Sequence, residues 1–593
     1  MRRFSFLAVL AAATAAIAAG AAAADVKVSD QTYVRHDGGT DTVIANCSND
    51  SPGTAFGGNR QQDEPTVAID QKDSSFIAAG ANDYCIVPET GDSWEGVYVS
   101  TTGGASWTNS LLPGYPGDTS TEGQASPLFG VDTAAGDPIM DWDNSQNLFV
   151  GGIAFNRTVP VNPNAHAIPS NGNMYVATYR RDPAAPLGID YLRTVIVGPG
   201  TPGNFPAAGR FNDKPSLKVD DWAGSPHQGN VYAAWALFPG AKGVHNQILF
   251  SRSTNHGVSF STPIKVNKGT TNAQGADVAV APNGDIYVVW RDFFINSVNP
   301  DEIVFVKSTN GGVTFSDPKP VASPIVGYDR FDQYVFDGAA RDCGSLAFIC
   351  VSHFTFHRTD ALPQATADVH GNVYVTWEQL DEELDNGDTY HRDGQSQVVV
   401  SRSSNGGASW TPPVKADPQA MGHQFWPNLE YDMSADRIVL TYYDSREDPS
   451  YSPFRPPGNT AAATSPCLGA SGIGTPVCDV LNTFIATSPG GNGLVWSATK
   501  VSTLGHQPNY EMFGGRSVPF HGDYIWVDAD AGKVFGAWTD NRDVVPGADP
   551  RETEKDGFDV HQCRAQNPNG TFGADTCANA GGLNQNIYGA ALP

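Results

Sequence analysis

Three similar octapeptides decide the fold of this chain: STNHGVSF at 253–260, STNGGVTF at 308–315 and SSNGGASW at 403–410. A looser copy, STTGGASW, occupies 100–107, and a degenerate copy with an inserted residue runs over 488–496. Recurrence of one pattern along a chain is the signature of a repeat architecture. The fold is therefore expected to consist of similar units that follow one another in sequence.

Each octapeptide has the chemistry of a closed β-turn. In the second copy, the side chain of Asn310 is expected to accept bonds from backbone amides two residues on. Gly312 tolerates a positive φ, and Phe315 is expected to pack back onto the hairpin. The octapeptides are thus predicted to be tight turns between neighbouring strands.

A second repeat consists of short apolar segments rich in aromatic residues, most of them entered through a Gly or Asn turn. They are 76–80, 148–152, 231–235, 286–290, 373–377, 438–442 and 534–538. Short β-branched and aromatic runs separated by turn residues are typical of an all-β chain. Seven such segments against five octapeptides predict a six- or seven-bladed β-propeller.

The octapeptides resemble the Asp-box, or BNR repeat, of the sialidase superfamily, in which the third position is Asp or Asn. The resemblance implies a sialidase-like propeller with the boxes on the outer turns of its blades. It is less specific for activity, because Asp-boxes are structural turns and one fold carries many functions.

The chain is predicted to be an exported protein with one domain. Residues 1–24 combine a basic start, an Ala-rich apolar run and small residues before Asp25, which is the pattern of a secretory signal peptide. Residues 25–593 are assigned to a single propeller with inserted loops at about 109–132 and 448–478. No later stretch approaches the ~18 apolar residues of a membrane-spanning helix. The mature protein is expected to be soluble and secreted or periplasmic.

Cysteine usage agrees with export. An even number of cysteines, eight in this chain, favours disulfides in an exported protein. Proximity in sequence predicts four bridges, although other connectivities are open: Cys47 with Cys85, Cys343 with Cys350, Cys467 with Cys478 and Cys563 with Cys577. A zinc site is not predicted, because the sequence has no Cys-x-x-Cys motif.

The composition limits the partners. A formal net charge of −27 makes nucleic acid and anionic membrane surfaces unlikely ligands in electrostatic terms. The same acidity is also explained by solubility alone. We predict a carbohydrate or glycoconjugate partner and no cofactor or metal, and the sequence leaves the oligomeric state open.

The resemblance supplies a test of sialidase chemistry. In the family, an Arg-Ile-Pro motif before the first blade strand supplies an arginine that grips the sugar carboxylate. The matching segment here is Asp63-Glu64-Pro65, so the proline is kept and an acid replaces the arginine. A carboxylate in this place would repel a carboxylated sugar, and Arg60 can take over only if the strand bends.

The acid/base aspartate of the family lies in the segment before the first box. In this chain the resemblance assigns that role to Asp83, with Asp92 and Glu95 as alternatives.

The nucleophilic tyrosine of the family lies in a Ser-Gly-Tyr-Ser motif of a late blade. The segment 521–524, His-Gly-Asp-Tyr, looks similar, and it makes Tyr524 the candidate nucleophile. A tyrosine nucleophile needs a carboxylate that takes its proton. Asp540 is the predicted partner, with Glu511 as the alternative.

Charged residues directly follow several of the aromatic segments. Equivalent strand ends lie around one end of a propeller axis, so these side chains are predicted to converge on a common mouth within reach of Tyr524. The predicted substrate-binding residues are Arg291, Asp292, Asp444, Arg446 and Arg542. Carboxyls and polar groups around one cavity are what a glycosidase needs. The alternative is that these charges bond neighbouring blades and close the ring.

Three functions remain open at this point. The first is an exported hydrolase of sialidase-like type, which cleaves terminal sugars with Asp83, Tyr524 and Asp540. The second is a propeller that binds glycan or protein without chemistry, which the missing arginine favours. The third is a polysaccharide lyase with His423 or Tyr524 as its base.

Overall fold

The structure is a computed structural model of the chain. It describes residues 24–29, 32–48, 61–86, 92–156, 172–201, 209–239, 246–269, 272–293, 301–328, 359–381, 394–453, 457, 478–491, 494–507, 510–511, 518–519, 521–543, 546–547, 559–560 and 584–592. Strands make up 51% and helices 4%, which confirms the all-β prediction. None of the helices in the described residues is long and apolar enough to cross a membrane.

Most described strands belong to seven four-stranded antiparallel units, called sheets 1 to 7 here in the chain order of their innermost strands. Sheet 1 contains β2 (Gln62–Ile69), β3 (Ile77–Asp83), β4 (Trp94–Ser100) and β5 (Thr108–Leu111). Sheet 2 contains β6 (Ala134–Trp142), β7 (Asn147–Phe155), β8 (Gly172–Arg181) and β9 (Ile189–Gly198). Sheet 3 contains β10 (Phe211–Val219), β11 (Val231–Phe238), β12 (Gln247–Ser253) and β13 (Ile264–Lys265). Sheets 2 and 3 are also linked by one parallel pair, Gly172 with Phe211.

Sheet 4 contains β14 (Ala273–Val280), β15 (Ile286–Asp292), β16 (Asp301–Ser308) and β17 (Lys319–Ile325). Sheet 5 contains β18 (Gln364–Ala367), β19 (Val373–Leu380), β20 (Ser396–Ser403) and β21 (Val414–Lys415). Sheet 6 contains β22 (Gln424–Asp432), β23 (Arg437–Asp444), β24 (Asn482–Pro489) and β25 (Ser497–Lys500). Sheet 7 contains β28 (Trp526–Asp530), β29 (Lys533–Asp540), β32 (Asn586–Leu592) and, at its outer edge, β1 (Val26–Lys27).

The other described elements are short. Two hairpins pair β26 (Tyr510–Glu511) with β27 (Val518–Pro519) and β30 (Pro546–Gly547) with β31 (Asp559–Val560). The helices are α1 (Thr42–Ser48), α2 (Thr121–Gln124) and one 3-10 turn (Tyr84–Ile86).

The seven aromatic segments of the sequence coincide with the second strand of each sheet: β3, β7, β11, β15, β19, β23 and β29. These strands are apolar because both of their faces are covered. All seven residues of β15, for example, are buried. Four tryptophans of these strands, Trp235, Trp290, Trp377 and Trp538, are fully buried. The core therefore lies between the sheets, as expected when sheets pack face to face.

The innermost strands form a closed ring. Each of β2, β6, β10, β14, β18, β22 and β28 contacts the next, and β28 contacts β2. The N-terminal strand β1 pairs with β32, so the two ends of the described chain meet in sheet 7. A ring of four-stranded sheets around an axis is the arrangement of a β-propeller.

Side-chain hydrogen bonds join each innermost strand to the next, because these strands do not pair with one another as a sheet. In ring order the bonds are Met140 N to Thr66 Oγ1 (3.2 Å), Val219 N to Asp141 Oδ2 (2.8 Å), Ser216 Oγ to Asp277 Oδ1 (2.6 Å), Ala365 N to Asp277 Oδ2 (2.8 Å), Thr366 Oγ1 to Glu430 Oε1 (3.0 Å), Val527 N to Asn428 Oδ1 (2.8 Å) and Ile69 N to Asp528 Oδ2 (2.6 Å). Every junction of the ring therefore has a polar contact. Where the donor is a backbone amide, the bond also satisfies a group that would otherwise be buried without a partner.

The octapeptides lie between the third and fourth strands of sheets 1, 3, 4, 5 and 6, on the outer turns. In the copy at 308–315, Ser308 Oγ accepts from Gly312 N at 3.0 Å. Asn310 Oδ1 accepts from Val313 N at 3.1 Å and from Thr314 N at 3.0 Å. The asparagine thus caps amides three and four residues on, and not two residues on as the sequence predicted, because the turn is wider than a simple β-turn.

Each of these turns packs against the preceding sheet. The Phe315 ring lies 4.7 Å from the ring of Phe250 in sheet 3, and the Trp410 ring lies 5.4 Å from that of Phe305 in sheet 4. A Cβ at Gly312 would lie 2.6 Å from the Phe250 ring, and φ there is +80°. The glycine is therefore required both for the turn and for the close approach.

The stretch 109–132, predicted as an inserted loop, begins inside β5 and includes α2. Leu112, Tyr115 and Leu128 of this stretch are buried, so it packs against the ring. Only 448–453, 457 and 478 of the second predicted loop, 448–478, fall within the described residues.

One predicted disulfide is confirmed: Cys47 of α1 is bonded to Cys85, across a separation of 38 residues. Cys478 is also disulfide-bonded, and its predicted partner Cys467 lies outside the described residues. Four further cysteines also lie outside the described residues: Cys343, Cys350, Cys563 and Cys577. Residues 1–23 of the predicted signal peptide lie outside them too.

Candidate functional site

A repeated distortion of the innermost strands positions the candidate site. Glu64, Asp137, Lys214 and Trp426 each precede a proline, each lies at a register shift of its strand, and their φ values are +59°, +56°, +51° and +54°. Positive φ in residues with bulky side chains is strained, and such strain is concentrated at functional sites. Four sheets therefore place one constrained side chain each at the same level of the ring.

Two of these residues line a cavity on the ring axis. The described residues that line it are Lys214, Pro215, Ser216, Gly275, Ala276, Asp277, Asp360, Leu362, Gln364, Trp426, Pro427, Asp523, Tyr524 and Trp526. These residues come from the innermost strands of sheets 3 to 7 and from the segments that precede those strands. The cavity is narrow, with about 30 Å³ open to water.

Lys214 is the centre of the charged side of this cavity. Its Nζ lies 2.7 Å from Asp523 Oδ2 and 3.9 Å from Glu64 Oε1. Its backbone N donates to Asp137 Oδ2 at 3.2 Å. Carboxylates of sheet 1 and of the segment before β28 thus meet at one buried ammonium group, and a carboxylate of sheet 2 binds the backbone of the same lysine.

The approach of sheet 7 to sheet 1 depends on Gly522. A Cβ at this position would lie 2.3 Å from the Cβ of Glu64, and φ is +88°. The following amide, Asp523 N, donates to Glu64 Oε1 at 3.0 Å. Asn82 Nδ2 donates to the other carboxylate oxygen, Glu64 Oε2, at 2.6 Å. Burial and the nearby carboxylates, above all Asp137, raise the pKa of Glu64 well above its ordinary value.

Asp137 and Asp213 form an acid pair. Their side chains are hydrogen-bonded to each other, and both are half-buried. Burial, together with repulsion from Asp137, raises the pKa of Asp213 to about 8, although Lys214 opposes the shift. Burial also raises the pKa of Asp137. Two close carboxyls cannot both ionise without large repulsion, so the pair holds a proton at neutral pH.

Glu95 lies next to this pair and is fully buried. Its carboxyl is bonded to the hydroxyl of Tyr175, and its Oε1 has no hydrogen-bond partner among the described residues. Burial, with a contribution from Asp137, raises the pKa of Glu95 well above its ordinary value.

Tyr524 is the one predicted catalytic or substrate-binding residue that lines the axial cavity of the described structure. Its hydroxyl donates to the carbonyl oxygen of Pro138 at 2.8 Å, and Lys214 Nζ lies 5.4 Å from its ring centre. Burial, and after it the charge of Glu64, raises the pKa of Tyr524 well above its ordinary value. The environment therefore keeps the phenol protonated, whereas a tyrosine nucleophile must lose its proton.

The predicted residues of sheet 7, Asp540 and Arg542, form a tight bracket, called the sheet 7 clamp here. Asp540 accepts from Arg542 Nη2 at 2.7 Å, from Arg542 N at 2.8 Å and from Trp538 Nε1 at 2.9 Å. Arg542 also lies 2.8 Å from Asp25. Burial acts to raise the pKa of Asp540, but His506 and Arg542 outweigh it and hold that pKa below its ordinary value.

Asp444 and Arg446 repeat this bracket in sheet 6, and we call them the sheet 6 clamp. Arg446 N donates to Asp444 Oδ1 at 2.6 Å, and its guanidinium pairs with both Asp444 and Asp417. The guanidinium carbon lies 3.9 Å from the ring centre of Phe484. Burial raises the pKa of Asp444, opposed by Arg446.

The predicted residues of sheets 1 and 4 are also engaged within the protein. Asp83 is fully buried and accepts from the hydroxyls of Tyr33 and Tyr98, the latter at 2.7 Å. Arg291 pairs with Asp301 and lies 4.2 Å from the ring centre of Phe293. Asp292 is buried, which raises its pKa to about 6.

The remaining candidates lie away from the axial cavity or outside the description. Asp92 is buried and accepts from Ser93 N at 2.9 Å. His423 is buried, with its ring 4.7 Å from that of Tyr328 and its Nε2 2.9 Å from the carbonyl oxygen of Ser452. Arg60 and the side chain of Glu511 lie outside the described residues.

Sequence reasoning missed Asp137, Asp213, Lys214 and Asp523. The signal that could have found two of them is a proline repeat: Asp137 and Lys214 precede Pro138 and Pro215, as Glu64 precedes Pro65. A metal centre has no support in the described part of the chain, where no cluster of three or more His, Cys, Asp or Glu residues could hold an ion.

Comparisons with known proteins give distant likenesses. No family model matches the chain, and no curated protein matches it. A protein of unknown function from Dyadobacter fermentans is similar at 12% identity, with 90% of this chain and 94% of that chain covered and a TM-score of 0.38.

Two glycoside hydrolases are similar at the same level. Trypanosoma rangeli sialidase in complex with the inhibitor DANA has 12% identity, 65% of this chain and 53% of that chain covered, and a TM-score of 0.36. Penicillium chrysogenum α-L-arabinanase complexed with arabinobiose has 11% identity, 71% and 94% covered, and a TM-score of 0.37. The chain spans about half the length of the trypanosomal enzyme.

Proposed function

We propose that the chain is an exported glycoside hydrolase built on a seven-bladed propeller of sialidase-like type, with Asp-boxes on its outer turns. The observation that carries this proposal is the axial acid group: a half-buried carboxyl pair that holds a proton beside a second carboxylate and a buried lysine. Glycoside cleavage requires an acid that protonates the leaving oxygen and a second carboxylate that acts as base or nucleophile.

Asp213 is the proposed general acid. Its pKa of about 8 keeps it protonated at neutral pH, which is the state from which a proton can be given to a departing sugar oxygen. Asp137 holds the Asp213 carboxyl in place through their shared hydrogen bond. Glu64 and Glu95 lie deeper, because both are fully buried, and burial favours the neutral form of each carboxyl.

Asp523 is the proposed second carboxylate. Its Oδ2 lies 2.7 Å from the Lys214 ammonium, and an adjacent positive charge favours the ionised form of a carboxyl. It also lines the cavity, so a sugar placed over the mouth would meet it. This assignment replaces a tyrosinate nucleophile, since Tyr524 is held protonated.

The decisive variant is Asp213→Asn. We expect kcat to fall about 10²-fold or more, because the proton donor is removed without a change of volume. Substrates with a good leaving group, such as nitrophenyl glycosides, should lose much less, since they need little protonation. Asp317→Asn is the matched control, because this side chain is 87% exposed at the outer edge of sheet 4. Equal losses on good and poor leaving groups would contradict the general-acid role.

A second candidate function is glycan or protein binding without chemistry. The narrowness of the cavity, about 30 Å³, favours it, because a sugar ring does not fit inside and contacts only the rim. The test is a panel of terminal glycosides. Saturable binding by the wild-type protein without cleavage of any of them would favour this function. A product that absorbs as an unsaturated uronide would instead select the lyase.

A further inference from the structure

The proposed acid and the proposed second carboxylate come from different parts of the ring. Asp213 and its partner Asp137 lie in β10 and β6, whereas Asp523 lies just before β28. The separation of the two carboxyl groups of a glycosidase decides how the sugar is attacked. The contacts that join these parts of the ring therefore set a distance on which the reaction depends.

Asn82 of β3 makes the first of these contacts. It is buried, and its Oδ1 accepts from the backbone N of Asp137 at 2.9 Å. Because the amide oxygen faces a backbone N–H group, the amide nitrogen must face the other way. There, Nδ2 donates to Glu64 Oε2 at 2.6 Å and to Asp63 Oδ1 at 2.9 Å. One side-chain amide thus ties the backbone of the acid pair to a carboxyl group of sheet 1.

Glu64 continues the connection to Asp523. Its Oε1 accepts from the backbone N of Asp523 at 3.0 Å and lies 3.9 Å from Lys214 Nζ. Glu64 is fully buried, and it occupies the place in which the family resemblance implies a sugar-binding arginine. Both of its carboxyl oxygens instead face groups of the protein. The path through Asn82 and Glu64 therefore runs from the amide of Asp137 to the amide of Asp523.

Two glycines allow this path to pack tightly. A Cβ at Gly136 would lie 2.5 Å from Asn82 Oδ1, and a Cβ at Gly522 would lie 2.3 Å from the Cβ of Glu64. Glu64 and Asp137 have positive φ values, +59° and +56°, and such backbone strain persists only where the surroundings fix it. The bonds of the path and the close packing at the two glycines supply that restraint.

We propose that Asn82 and Glu64 are positioning residues and together form a strut. The strut holds the carboxyls of Asp213 and Asp523 at a fixed separation, and it acts on the former through the hydrogen bond shared with Asp137. Neither residue of the strut is among the described residues that line the axial cavity, so the strut acts without contacting the sugar. The inference rests on the proposed function, because it assigns the strut to the two carboxyls of that reaction.

Each single variant breaks one bond of the strut without a change of volume. Asn82→Asp replaces the donor to Glu64 by an acceptor, and Glu64→Gln offers one acceptor where two N–H groups need one. We expect each to lower kcat at least about tenfold, on nitrophenyl glycosides and on poor leaving groups alike, because both carboxyls shift relative to the sugar. KM should stay within about twofold, since neither side chain contacts the sugar. Asn283→Asp is the matched control and should keep kcat, because it makes the same change in the exposed turn between β14 and β15.

The double variant Asn82→Asp/Glu64→Gln restores the strut with its middle bond reversed. The new carboxylate still accepts from the amide of Asp137, the new amide donates to that carboxylate, and the oxygen of the new amide accepts from the amide of Asp523. We expect its kcat to be at least about fivefold above that of either single variant, because substitutions of two residues in contact are not additive. The bond to Asp63 is not restored, so the recovery stays partial.

Crystal structures of the wild type and the three strut variants measure the separation directly. The distance between the Asp213 and Asp523 carboxyls should change by at least about 0.5 Å in each single variant, the error that a catalytic site tolerates, and should return in the double variant. Far-UV circular dichroism checks the folding, and if one single variant does not fold, the other still tests the strut.

An unchanged distance or an unchanged kcat in the single variants, or a double variant no better than they are, would overturn the strut. Cleavage by the wild type would in that case leave the hydrolase standing. A wild type that cleaves no glycoside would remove the hydrolase, and the crystallographic distances alone would then confirm or overturn the strut.

Discussion

The sheet 7 clamp and the axial acid pair are built from the same kinds of residue and behave in opposite ways. In the clamp, Asp540 is fully buried, but Arg542 and His506 hold its pKa below its ordinary value. In the pair, Asp213 is more exposed, and burial followed by repulsion from Asp137 raises its pKa to about 8 against the opposing charge of Lys214. Both carboxyls lie in environments that favour the neutral form, but their partners differ. The partner therefore decides whether a carboxyl is ionised and stabilises the fold or keeps a proton that it can donate.

The largest effect is expected from Arg542→Met, which leaves Asp540 buried without its cation. We expect the free energy of unfolding to fall by about 3–5 kcal/mol, the usual cost of removing one partner of a buried ion pair. The Arg542 side chain is only 7% exposed, so water cannot replace it. Urea unfolding measures the change, and the kcat of the remaining folded protein should equal that of the wild type. A large loss of kcat at unchanged stability would contradict this structural role and assign the clamp to the catalytic site.

The sheet 6 clamp has the same geometry as the sheet 7 clamp, but its arginine is more exposed to solvent. Its Arg446 side chain is 19% exposed, so water compensates part of the lost pair in Arg446→Met. We expect a loss of about 2 kcal/mol, between the values of buried and exposed ion pairs. The same urea experiment measures it. A loss equal to or above that of Arg542→Met would mean that burial does not set the strength of these clamps.

The fold was accessible from the sequence because the repeats are local. Each octapeptide forms its own turn. Each aromatic segment is the second strand of its sheet, so the seven segments indicate seven sheets. The octapeptides gave a lower number, since sheets 2 and 7 lack one. Sheet 7 is also completed by β1 from the other end of the chain, a pairing that no local pattern reveals.

The site was much less accessible, because its chemistry depends on distant partners. Arg542 meets Asp25, more than five hundred positions away (517), and Lys214 meets Asp523. A charge at a strand end therefore looks the same in sequence whether it is paired or free. The proline repeat after Glu64, Asp137 and Lys214 was visible, but only the ring shows that these residues lie at one level.

The smallest expected effect is on the pH dependence of stability, and it tests the acid side of the comparison. Besides Asp213, burial raises the pKa of Asp530 to about 8 and those of Asp221 and Asp528 to about 7. An unfolded aspartate titrates near 3.8, so the folded state binds more protons than the unfolded state up to pH 8. Stability must then fall as the pH rises through these values.

We expect the free energy of unfolding to be on the order of 1 kcal/mol lower at pH 8.5 than at pH 6.5, after allowance for screening of the partly exposed groups. His506 works in the opposite direction, because burial lowers its pKa to about 4. Its effect is confined to pH values below about 6.5, where the unfolded imidazole gains a proton. Urea titrations at the two pH values measure the difference, and Asp213→Asn should reduce it while Arg446→Met leaves it unchanged. Greater stability at pH 8.5 would show that these carboxyls are ionised in the folded protein, and the axial pair would then have no proton to donate.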